Sequence, residues 1–145
     1  MISWADAHKK IAKSSREFNL LQIRFDTFFT HVESQLKEEP SLNTKGIQVH
    51  KGASDFFTAN FAGRDLRFVF TTMLNGSETL AGRVTVYMLS KFSEEKITKI
   101  DSFEFSTSGK TTLNIEDHDD DPAELGHDAH ALCIFLGVLC KSLSY

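Results

Sequence analysis

Between residues 116 and 130 the sequence EDHDDDPAELGHDAH gathers five acids and a histidine within six positions, then two further histidines. Carboxylates and imidazoles at such density are the raw material of a cation site. Asp117, Asp119, Asp121 and Asp128 stand at relative positions 1, 3, 5 and 12, the oxygen-ligand spacing of a calcium-binding EF-hand loop. Position 6 of that loop needs a glycine in a sharp turn. Here it is Pro122, whose ring fixes φ near −65°, and the chain entering the loop reads as strand instead of helix.

Glu124 and His127 form a Glu-x-x-His pair. One helical turn apart, such a pair converges on a transition metal when a second pair and further glutamates face it. No second pair occurs, and His31 and Glu33 are only two apart, on different faces of a helix. A metal-dependent enzyme built on Asp117, His118, Glu124 and His127 is therefore the weakest of the readings, and no metal or cofactor is assigned. The acids are better explained as the solvated entrance of a helix: Asp121 as N-cap, Pro122 at the first helical position and Glu124 at the third. In that role Asp117, Asp119, Asp120, Asp121 and Asp128 make an acidic edge suited to a protein partner, a basic one by charge.

Other catalytic patterns fail on local grounds. Gly109-Lys110-Thr111 echoes the end of a phosphate-binding loop, but the glycine required five residues earlier is Glu104, and TTLNIED alternates like a strand where a helix should begin. The tripeptide reads as a hairpin turn. There is no Gly-x-Ser-x-Gly elbow and no His-Glu-x-x-His run. Cys133 and Cys140, seven apart on one helix, would have Cα atoms about 10 Å apart, beyond disulfide reach, and are read as reduced core residues. The balance of these readings is non-catalytic.

The elements that must carry these residues follow from periodicity. Trp4, Ile11, Phe18, Phe25 and Val32 recur every seven residues, and Leu21, Phe28, Phe29 and Leu36 widen the stripe, so residues 3–38 read as helix with a possible break at Ser14, Ser15 and Asn19. From about residue 45 to 115 the period is two. Phe57, Ala59 and Phe61 share one side of a strand, as do Leu66, Phe68 and Phe70. Ala62-Gly63 and Asn75-Gly76 supply hairpin turns, and short connections throughout imply an antiparallel meander of five or six strands. The run Ala129–Cys140 is apolar nearly all round and reads as a buried final helix, Gly137 marking a close approach by a bulky neighbour.

The expected architecture is one α+β domain over residues 1–145: a long N-terminal helix, the meander and a C-terminal helix, both helices packed on one sheet face. Thirteen phenylalanines imply a core of rings without polar atoms, and Phe57, Phe68, Phe70 and Phe103 are the residues that would line an apolar ligand cavity if sheet and helices enclosed one.

A net charge of −4 speaks against nucleic acid and anionic membranes as partners of the whole surface. The charge is uneven: residues 1–72 hold ten Lys/Arg against eight acids, and residues 73–145 hold six against twelve. No basic-then-apolar leader opens the chain and no apolar run approaches the roughly 18 residues that span a bilayer, so the expected location is the cytoplasm. The function expected is a protein-binding module, homodimeric, using the acidic edge or a sheet face. A small-molecule binder is the alternative.

Overall fold

Ser3 opens the first helix, its hydroxyl accepting the Asp6 amide at 3.3 Å, and α1 (Trp4–Glu38) then runs through Ser14, Ser15 and Asn19 without a break. A computed structural model describes residues 3–43, 46–76, 78–90, 96–115 and 121–145. After α1 come a short helix α2 (Pro40–Asn43), then strands β1 (Gln48–Ala53), β2 (Phe56–Phe61), β3 (Arg64–Leu74), β4 (Leu80–Leu89), β5 (Ile97–Phe105), β6 (Lys110–Asn114) and β7 (Pro122–Glu124), and finally α3 (Asp128–Ser142). The strands pair antiparallel in sequence order from β1 to β7. Seven strands replace the expected five or six.

Register explains why one face is the core. Phe57 pairs with Phe68 and Phe68 with Val86, while Phe70 pairs with Val84 and Val84 with Phe103, so successive rows present rings to the helices. Phe25, Phe28, Phe29 and Val32 of α1 and Phe135 of α3 meet those rows, which places both helices on the same face. Gly82 pairs with Phe105, whose ring occupies the glycine's side-chain space: a Cβ built there would lie 2.3 Å from the ring edge. At the β2–β3 turn both Ala62 and Gly63 have positive φ, the geometry of a type I′ hairpin. The β3–β4 connection is longer than a two-residue Asn-Gly turn and is closed by the Asn75 amide donating to the Thr79 carbonyl at 3.0 Å.

Simple alternation along β5 puts Ile100 on the opposite side from Phe103. The structure corrects this with a bulge: Val86 pairs with Asp101 and Tyr87 with Lys99, leaving Ile100 as the extra residue and turning it into the same core.

The acidic approach to the last helix is also corrected. Asp121 is not an N-cap and Pro122–Glu124 is not a first turn; the segment is β7. Ala123 and Leu125, two apart, are buried while Glu124 between them is exposed, the alternation of a strand. The Thr111 hydroxyl donates to the Ala123 carbonyl at 2.8 Å, and the Leu125 amide donates to the Gly109 carbonyl at 2.9 Å. The cap of α3 is His127, whose Nδ1 accepts the His130 amide at 3.3 Å.

Nor is α3 buried all round. Ala131, Ile134, Phe135, Val138 and Leu139 face inward, but Cys133 and Cys140 are free and exposed, and a side chain at Gly137 would meet open space. The sequence is apolar on both faces of this helix; only one face finds the sheet.

Candidate functional site

The acidic edge is seen only in part. Asp117, His118, Asp119 and Asp120 lie outside the described residues. Asp121 is exposed beside a shallow depression that it lines with Lys110, Pro122, Glu124 and His130. Asp128 sits in the first turn of α3, accepts the Gln35 amide side chain at 3.2 Å and thereby ties α3 to α1.

The two described histidines of this region stack with ring centroids 4.0 Å apart. Each uses Nδ1 for structure: His127 accepts the His130 amide and His130 accepts the Glu124 amide at 3.1 Å. Glu124 lies on a strand and His127 in the turn after it, so the helical spacing that would let them converge on a cation is absent. Among the described residues no group of three or more His, Cys, Asp and Glu is placed to hold a metal ion.

Phe57, Phe68, Phe70 and Phe103 come together, but as packed rings. Phe57 stacks on Phe68 at 4.6 Å between centroids, Phe70 stacks on Phe25 at 5.3 Å, and Phe103 meets the Phe28 ring edge-on at 6.0 Å. They sit beneath α1 and α3 as buried rings, none more than 4% exposed.

Two further surfaces stand out. The first is the sheet face opposite the helices. Across it run the register rows Phe56–Val69–Thr85–Ser102, Thr58–Arg67–Tyr87–Lys99 and Asn60–Asp65–Leu89–Ile97. Neither α1 nor α3 reaches this face. Phe56, Val69, Tyr87 and Leu89 are half-buried by their neighbours within the sheet, and Ile97 is 61% exposed. Charges of both signs accompany them: the Arg67 guanidinium lies 4.9 Å from the Phe56 ring centroid, and Arg83 pairs with Glu104 at 3.0 Å.

The second is the beginning of α1. Trp4 and Ile11, members of the heptad stripe expected to be covered, are 80% and 68% exposed. Burial starts only at Glu17, whose carboxylate accepts the Leu80 amide at 3.0 Å and lies 3.9 Å from the Lys13 ammonium. The signal available in the sequence was the basic run His8, Lys9, Lys10, Lys13 and Arg16 on either side of Ile11, which reads as an ordinary solvated face until the sheet's extent is known.

No described helix is long and apolar enough to cross a membrane. Comparison with protein-family models, with curated proteins and with solved structures finds no match to this chain.

Proposed function

We propose that the protein is a non-catalytic protein-binding module that pairs with a second copy, and holds its partners, through the helix-free sheet face. The observation that carries this reading is the set Phe56, Val69, Tyr87, Leu89 and Ile97, interleaved with Asp65, Arg67, Thr85 and Lys99, on a face that both helices leave uncovered. Apolar side chains gathered in one patch and rimmed by charge mark interaction surfaces. Asp65, Arg67, Arg83, Lys99 and Glu104 supply both signs on the same face, the ingredients from which a two-fold interface makes its charge pairs.

Substituting Tyr87→Glu together with Ile97→Glu tests the reading, because both side chains lie outside the helix-facing core. Light scattering should give the wild-type chain twice its 16.3 kDa mass and the double variant the mass of one chain. A wild-type monomer that also captures no protein from its native host would overturn the proposal. The acidic edge is separated from the sheet face by salt: replacing Asp119, Asp120 and Asp121 with serine weakens capture in a salt-sensitive way only if the carboxylates take part.

A further inference from the structure

We propose that the stacked pair His127 and His130 is a pH-sensitive latch: while neutral, the two rings hold the turn between β7 and α3 through their Nδ1 atoms, and on protonation they release it. The latch is independent of the role assigned to the helix-free sheet face.

Two backbone amides fix the state of the rings. The His130 amide donates to Nδ1 of His127 at 3.3 Å, and the Glu124 amide donates to Nδ1 of His130 at 3.1 Å. An amide N–H only donates, so each Nδ1 must present a lone pair and each neutral ring keeps its proton on Nε2. An imidazolium has no such lone pair. Protonation therefore sets donor against donor at both contacts, in two rings whose centroids are 4.0 Å apart. His127 is also the N-cap of α3, at the positive end of the helix dipole, where a further positive charge weakens the cap.

The charged rings have other partners within reach. Nδ1 of His127 lies 3.8 Å from Oδ1 of Asp128, too far for a hydrogen bond until the ring turns, and that carboxylate meanwhile accepts the Ala129 amide at 2.7 Å and the Gln35 side chain at 3.2 Å. His130 lines the depression that holds Asp121, Glu124 and Lys110. Among the described residues the charges facing the pair are thus the carboxylates of Asp121, Glu124 and Asp128 against the ammonium of Lys110, while α1 contributes the uncharged Gln35. Carboxylates predominate, so protonation exchanges two amide contacts for ion pairs and gives the turn a second arrangement. Solvent reaches the switch, the His127 side chain being 50% exposed. What gives way is the last residue of the three-residue β7 and the first turn of α3, so the segment from Asp121 to Asp128 is the part that proton binding re-forms.

Nuclear magnetic resonance of the full-length chain tests the latch between about pH 8 and about pH 5, across the ordinary imidazole range. At the upper end the ring nitrogens of both histidines should show the Nε2–H form. On acidification the Glu124 and His130 amides should shift together with the rings and lose about tenfold in exchange protection, corrected for the intrinsic pH dependence of exchange. The Phe70 and Ser106 amides, which donate to the carbonyls of Asp55 and Lys110, should keep theirs. In His127→Asn the side-chain oxygen caps α3 without titrating, so the His130 amide should stay protected at low pH while the Glu124 amide still loses protection. An Nδ1–H form of either ring at the upper end would overturn the proposal, as would unchanged protection of either amide once its ring is protonated. An equal loss at Phe70 and Ser106 would overturn it too, since the chain would then be opening as a whole.

Discussion

Residues 4–16 and 21–36 belong to one uninterrupted helix and share one seven-residue repeat of large apolar side chains, yet they meet different surroundings. Phe25 and Val32 are sealed beneath the sheet; Trp4 and Ile11, in the same repeat, face water. Dimensions account for the difference. A helix of 35 residues is about 52 Å long, whereas an eleven-residue strand such as β3 spans about 37 Å and seven strands side by side about 29 Å. Neither direction of the sheet is long enough to cover α1. A heptad pattern therefore marks the side chains that are able to be buried, and the extent of the opposing layer decides which of them are. The same rule separates the two faces of α3, where Phe135 packs on Phe68 while Cys133, Gly137 and Cys140 look outward.

Substitutions on either side of this divide should behave unequally. The largest loss is expected from Phe28→Ala, since this fully buried ring touches Phe57, Phe68 and Phe103; urea denaturation should show about 3–5 kcal/mol of destabilisation. Glu17→Ala, at the boundary, removes the acceptor of the Leu80 amide from a side chain only 12% exposed and should cost about 1–3 kcal/mol, with a local increase in exchange of that amide. On the open face of α3, Gly137→Ala should raise stability by about 1 kcal/mol, because helix propensity improves and nothing stands in the way. Ile11→Ala, on the projecting half of α1, should leave the urea midpoint within about 0.5 kcal/mol of wild type despite removing a large apolar side chain. Equal costs for Phe28→Ala and Ile11→Ala would erase the distinction between the two halves.

Much of the sheet was legible beforehand because local chemistry and final environment agree there. Phe57 with Ala59, and Leu66 with Phe68 and Phe70, alternate toward the core, and Ala62-Gly63 makes the tight turn between them. The failures occur where two local signals compete. Asp-Pro-Ala-Glu satisfies the preferences of a helix start as well as those of a short edge strand, and long-range hydrogen bonds, from the Thr111 hydroxyl to Ala123 and from the Leu125 amide to the Gly109 carbonyl, decide for the strand. Ile100 looks out of phase until the bulge in β5 is known. Trp4 and Ile11 continue a valid helical stripe, but nothing in the stripe reveals where the sheet beneath it stops. Of the acidic edge, Asp121 and Asp128 are placed, Asp128 joining α3 to α1, while the hydrogen bonds among Glu124, His127 and His130 organise the β7–α3 turn.

Amide hydrogen exchange along α1 tests the divided helix most directly. Amides from Leu21 to Leu36 should require an opening that approaches global unfolding, roughly 5–15 kcal/mol, while those from Ala7 to Ser15 should exchange through local fraying at a small fraction of that energy, the change falling at Glu17. Uniformly high protection from Ala7 onward, in the wild-type chain and equally in the Tyr87→Glu, Ile97→Glu variant, would contradict the account.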